Sequence, residues 1–309
     1  MDKRQLSLNL KAEAKNLGFF TCGIAKADAV DADVVATYKK WIDNGAHATM
    51  NYLENYPDKR FDPRLLMPGL KSIVSVALNY APSHHLPDGE PQFAAYALGK
   101  DYHDVVKLKL RQVAENLHIT DYRVFCDSAP VLERYWAVKA GLGWTGRNHQ
   151  LIIPRAGSMF FLGELFLTEE LEYDEPMESR CGNCHACIDA CPTNALHQTS
   201  SKTIFDARRC LSYQTIENRG DIPQELSDKM GDTIYGCDRC QSACPWNRFS
   251  TPNTTPELQP SEDLLNMTRE DWLSLSEDDY RRLFKGSAVK RAKYSGLMRN
   301  IHEALKSND

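Results

Sequence analysis

"CGNCHACIDACPTNAL" runs from Cys181 to Leu196, and its reading decides what kind of protein this is. Four cysteines stand there at spacings of three, three and four, and Pro192 follows the last. A second run, "GCDRCQSACPWN" (residues 236–247), carries Cys237, Cys240 and Cys244 and ends on the same Cys-Pro pair. The chain has 309 residues, 42% apolar and 26% charged, an ordinary globular composition with room for two or three domains. Its net charge of −5 gives no overall sign of a nucleic-acid binder. No apolar run nears the ~20 residues that span a membrane. The first residues, MDKRQLSLNLKAEAKNLGFF, are charged and amphipathic without a secretory apolar core, which points to the cytoplasm. Thiols stay reduced there, so clustered cysteines bind metal more readily than they form disulfides.

The pattern C-x2-C-x2-C-x3-C-P is the bacterial ferredoxin run, in which three cysteines ligate one four-iron cluster and the fourth ligates another. A four-iron cube wants four soft thiolates. A tight loop presents three of them, and the fourth points away across the turn. Counting back from Cys244 in the second run, the first ligand position falls on Ile234. Cys210, otherwise isolated in "ARRCLSY", can replace it. Cys181, Cys184, Cys187 and Cys244 then hold one cluster, and Cys191, Cys210, Cys237 and Cys240 hold the other. Two structural zinc sites are the alternative, but zinc motifs rarely take this form. Cys22 and Cys126 remain, both in apolar strand-like stretches, and read as small buried hydrophobes.

Upstream, residues 1–170 alternate helix and strand signals. Leu6, Leu10, Ala14 and Leu17 recur on one helical face that Gly18 can end. "FFTCGIA", "SIVSVAL", "YRVFC", "QLIIP" and "SMFFLGELFLT" read as strands. Val34 to Ile42 and Val106 to Leu117 read as helices, and Pro130 is expected to open another carrying Val131 to Ala140. "NYPDKRFDPRLLMPG" (residues 55–69) reads as a wrapping loop. The cysteine-rich part spans 171–250, and 251–309 reads as a linker and a basic helical tail. Gly141, Gly143 and Gly146 are not a dinucleotide fingerprint, since no strand directly precedes them. Between Arg281 and Lys306 stand eight basic residues and one acidic one, a run that is either a solvated helix face or a contact for a phosphate backbone.

"CDSAPVLERYWAVKAGLGWTGRN" (126–148) closely resembles a segment of the epoxyqueuosine reductases. So do "MPGLKSIVSVALNY", "MNYLENYPDKRFDP", "GKDYHD", "IYGCDRCQSACPWN" and "GSAVKRAKYSGLMRN", almost end to end. The resemblance implies an α+β protein: a nitroreductase-like cobalamin-binding domain (1–170), a ferredoxin-like domain with two [4Fe-4S] clusters (171–250), and a short helical tail (251–309). It implies reduction of epoxyqueuosine to queuosine at the wobble position of tRNA, the last step of queuosine synthesis. The implied partners are tRNA carrying epoxyqueuosine in its anticodon and a low-potential donor such as flavodoxin or ferredoxin, with a monomer and no membrane. A corrinoid reductive dehalogenase and a non-catalytic iron–sulfur electron-transfer subunit are the competing readings.

Within that resemblance, Asp127 is the candidate acid for the departing oxygen, a buried carboxyl whose raised pKa would let it donate. Helix capping by Asp127 or Ser128 is the plain alternative. Arg60, Leu151, Leu162, Ser212 and Asp238 are candidate cobalamin contacts, as is Asp127. His103 reads as a helix-start residue and not a cobalt ligand, because Val106 breaks the D-x-H-x-x-G pattern. Lys290, Arg291, Lys293 and Arg299, with Arg219, are the candidate tRNA contacts.

Overall fold

A computed structural model describes residues 2–199 and 203–306. Its first unit is built on a four-stranded sheet in the order Thr21–Lys26, Ser72–Asn79, Phe160–Leu167, Tyr122–Phe125, with every neighbouring pair antiparallel. Strand side chains alternate between faces. Val74, Val76, Leu78, Leu165 and Leu167 turn to one face, where they meet Leu10 and Ala14 of the helix Lys3–Asn16 and Val106, Leu110 and Val113 of the helix Tyr102–Asn116. Ile73, Ala77, Phe125 and Phe166 turn to the other and meet Trp136 and Ala137 of the helix Glu133–Lys139. Covering both faces explains why the two central strands read as nearly continuous apolar runs. Gly163 lets the long helix lie close, since a Cβ there would come within 2.5 Å of Val106.

One helix begins later than its proline suggests. The segment expected from Pro130 turns helical only at Glu133, with Leu132 at the cap position and no side-chain cap. Residues 127–132 are therefore a loop. Within the stretch read as a wrapping loop, Pro57–Phe61 forms a short helix.

The cysteine runs fold as loops around two short helices, Ala186–Asp189 and Arg239–Ser242. The hairpin Leu196–Gln198/Thr203–Phe205 docks them to the first unit. There Trp41 Nε1 donates to the Phe205 carbonyl at 2.7 Å.

The tail is not an appendage. Trp272, Phe284, Leu297 and Ile301 share one core with Phe93 and Leu98 from the first unit and with Ile234 and Tyr235 between the cluster cysteines. Strand Thr233–Tyr235 pairs in parallel with Gln92–Phe93. Asn300, fully buried, donates to the Thr215 and Ile234 carbonyls at 2.7 and 2.9 Å. Boundaries at 170 and 250 mark changes in composition, but this core runs across both. No described helix is long and apolar enough to cross a membrane.

Candidate functional site

Folding brings the cysteines into two groups. Cys181, Cys184, Cys187 and Cys244 line one cavity of about 110 Å³ with Pro245, Trp246 and Arg147. Cys191, Cys210, Cys237 and Cys240 lie within electrostatic reach of one another. Burial and the neighbouring sulfurs of Cys244 and Cys181 push Cys187 up to about 11. Burial is also the main cause that pushes Cys210 up to about 11, with Cys237 and Cys191 adding to it. Four thiolates so placed cannot all ionise without a positive centre among them. Among the described residues, no three His, Cys, Asp or Glu side chains are placed to hold a single metal ion. Such thiol sets surrounding an open volume fit a four-iron cube better than one zinc ion at close tetrahedral range. Cys184 is exposed, so the first group is the outer one.

Asp127 follows the strand Tyr122–Phe125 in a left-handed backbone conformation, φ +56°. It caps no helix. Its N–H donates to Glu133 Oε1 at 2.5 Å. Its Oδ2 accepts a short hydrogen bond from the Tyr102 hydroxyl and lies 3.6 Å from His103 Nε2. Both partners come from the start of the helix Tyr102–Asn116, which is fixed in turn. Asp101 accepts from the His103 amide at 3.1 Å and from His103 Nδ1 at 2.6 Å. The Tyr102 ring stacks on Phe161 at 4.2 Å.

This cluster reverses the expected protonation. Burial alone would raise the Asp127 carboxyl, but the hydrogen bonds from His103 and Tyr102 outweigh it and hold the group at about 2. Burial alone would lower His103, yet Asp101 and Asp127 lift it to about 9. At neutral pH the proton of this cluster sits on the imidazole. The raised carboxyls lie behind it, at Glu133 and Glu164.

Asp127 is exposed, with 59% of its side chain accessible. Tyr52, Tyr96 and Arg134 lie within electrostatic reach of it. Asp238 acts on Tyr96 as well, and its Oδ2 accepts from the Ala95 amide at 2.6 Å. The inner thiol group, whose Cys237 directly precedes that carboxylate and whose Cys240 follows it by two residues, thus borders the same region. Arg60 is 7% exposed, lies over the Tyr38 ring and donates to the Tyr52 and Asn55 carbonyls at 3.4 and 3.3 Å. Leu151 and Leu162 pack in the core under the sheet. Ser212 lies in the helix Leu211–Ile216 just after Cys210. Sequence reasoning passed over Tyr102, Glu133 and Glu164 and took His103 only for a helix start. The signals were present: "GKDYHD" places Tyr102 and His103 side by side, and Glu164 is a lone carboxylate in an apolar strand.

The basic tail divides. Arg219 donates to the Ile216, Ala292 and Arg291 carbonyls at 3.1, 3.1 and 2.7 Å. Arg299 donates to the carbonyls of Gln214, Asn218 and Gly220. Arg291 forms a bidentate pair with Glu217 at 2.9 and 2.8 Å and lies over the Tyr52 ring. These guanidiniums are committed within the fold, whereas Lys290 and Lys293 are exposed.

Comparison with known proteins agrees with this geometry. Residues 180–247 match the family model described as a 4Fe-4S double cluster binding domain, and residues 60–128 match the one described as Epoxyqueuosine reductase QueG, DUF1730. The epoxyqueuosine reductase of Cellulophaga algicola is 46% identical over 296 residues, which cover 94% of this chain and 95% of the relative. That of Escherichia coli K12 is 39% identical over 315 residues, 99% of this chain and 82% of the relative. A crystal structure of epoxyqueuosine reductase with a tRNA-Tyr epoxyqueuosine-modified stem loop superposes with a TM-score of 0.86 at 30% identity, covering 98% of this chain and 81% of that one.

Proposed function

The chain belongs to the epoxyqueuosine reductase family, and from that premise we propose that Asp127, backed by His103 and Tyr102, delivers the proton its reaction needs. The enzyme is an oxidoreductase that reduces epoxyqueuosine in tRNA to queuosine. Its cofactors are cobalamin and two [4Fe-4S] clusters. When bound, these supply low-potential electrons and a strong reductant at carbon.

Removing the epoxide oxygen takes two electrons and two protons and yields an alkene and water. The residues of the chain manage the protons. Negative charge builds on the oxygen as its bond to carbon breaks. Asp127 is the most exposed carboxylate or imidazole of its cluster, so it meets that oxygen. His103 carries one of the two protons at neutral pH and passes it through Asp127, and the second reaches the cluster from solvent as the imidazole is reprotonated, while Tyr102 and Asp101 fix the two groups in place. The Asp101 carboxylate favours the imidazolium and orients its ring. The region around Asp127, Arg134 and Asp238, which share electrostatic partners, would hold the corrin, and the two thiol groups are suited to holding the clusters.

We assign residues 1–170 to a nitroreductase-like cobalamin unit and 171–250 to a ferredoxin-like unit. The tRNA substrate supports a cytoplasmic site of action. A flavodoxin or ferredoxin serves as donor to a monomer. Near full-length identity to epoxyqueuosine reductases weighs against a reductive dehalogenase and against a non-catalytic electron-transfer subunit.

The observation that carries the mechanism is the placement of the Asp127 carboxylate against the Tyr102 hydroxyl and His103 Nε2, with Asp101 on the far side of the imidazole. The test is anaerobic reconstitution with iron, sulfide and cobalamin. The protein is then incubated with epoxyqueuosine-containing tRNA and a strong reductant, and the nucleosides are analysed by mass. Queuosine should form with the wild type. Its absence from fully loaded protein would overturn the reading.

A further inference from the structure

Glu164 stands in the middle of a central strand, paired across from Ser75 on one side and Phe125 on the other. It is fully buried, and neither carboxyl oxygen meets a hydrogen-bond donor. Its face of the sheet is the one covered by the helix Glu133–Lys139, whose first residue is Glu133. The Glu133 carboxylate in turn accepts the backbone N–H of Asp127. A dry sheet interior does not tolerate two adjacent carboxylates.

We propose that Glu133 and Glu164 are positioning residues that hold a proton between them, and that this shared proton latches the Asp127 loop in its working pose. An O–H bond between the two carboxyls supplies a donor in a site where only the Ser75 hydroxyl, opposite Glu164 in the sheet, is otherwise at hand. It also leaves a Glu133 oxygen free to accept from Asp127, whose left-handed backbone needs an outside tie. Burial and the Asp127 charge push Glu133 up to about 8, and burial and Glu133 push Glu164 up as well. The charged and titratable groups facing the pair are Asp127, Arg134 and Cys126, with Lys107 from the neighbouring helix acting on Cys126. Arg134 opposes the rise of Glu133 but does not cancel it. Once the proton is lost, two carboxylates repel each other beside a third, and in the proposed latch this repulsion outweighs the Asp127 amide, which by itself favours the charged Glu133, so the loop shifts.

The inference rests on Asp127 as proton donor, so one arm of its test needs no turnover. Infrared titration of the reconstituted holoenzyme should show a protonated carboxyl at pH 7 that is lost as pH rises through about 8 and is missing from E164Q. A spectrum in which E164Q removes no protonated carboxyl would overturn the pair. The second arm is single-turnover reduction by E133A and E133Q. Glutamine keeps an acceptor oxygen for the Asp127 amide, and alanine does not. E133A should slow the chemical step by about a hundredfold, the scale of a misplaced catalytic group. E133Q should recover most of that loss and also lose the pH step near 8. Equal rates in the two variants would show that Glu133 does not position the loop. If E133A fails to load its cofactors, E133Q and the infrared arm decide alone.

Discussion

A carboxylate at a strand end becomes an acid or a base according to what reaches it from elsewhere in the chain. Asp127 shows this, because its donors lie 24 and 25 residues earlier on a different element. Replacing it by asparagine should lower the single-turnover rate by about a hundredfold or more, the usual scale for general acids, with iron and cobalamin content unchanged. Near wild-type turnover would remove it from the mechanism. His103 sets the pH dependence. Its proton is held up to about 9 in the folded protein, against an ordinary 6.5. The folded state therefore binds more protons than the unfolded one between those values. The stability this contributes is complete below 6.5 and is lost as pH rises through 9. Asp127, held at about 2, works in the other direction: its contribution is present above the ordinary carboxylate value and lost as pH falls through 2. The rate should decline as pH rises through about 9, and H103Q should erase that limb while leaving the cobalamin spectrum intact. An unchanged limb in H103Q would place the proton elsewhere. Asp127 itself was legible from its surrounding motif. The direction of its shift was not, because no local pattern reveals a partner contributed by another element.

Loops and short helices carry the metal chemistry, and here the sequence was most open to reading. Cysteine spacing is a local property, so both runs were visible, and counting positions led to Cys210. If Cys210 takes the ligand place that falls on Ile234, the core supplies a physical reason: Ile234 is fully buried, and its carbonyl accepts from Asn300. A core residue and a cluster ligand cannot share that position. C210A should retain about four of about eight irons after anaerobic reconstitution, one cluster lost and one kept. Full iron content in C210A would break the assignment. Helix onset was less legible. A proline permits a helical first turn without requiring it, and the backbone delays the helix until Glu133, leaving Asp127 in an open loop.

Over the whole molecule, composition marked the segments but missed the core that joins them. Leu264, Trp272 and Ile301 are scattered among charges along the chain, and only folding sets them against Phe93 and Ile234. That core also divides the basic residues by role. If Lys290 and Lys293 pair with tRNA phosphates, K290A/K293A should flatten the log–log salt slope of tRNA binding by about 1.4–1.8, at about 0.7–0.9 per lost contact. Parallel slopes would leave those lysines as solvated surface. R299A should act differently. It strips donors from three carbonyls, so thermal denaturation should show a loss of about 1–3 kcal/mol, with little change in salt slope. The shared core also has a bearing on manufacture. Ribosomes emit a chain from its beginning, so all eight candidate cluster thiols emerge before the helix Lys293–Lys306 that closes the core beside them. During synthesis those thiols are therefore on the chain while the core that will cover them is still open.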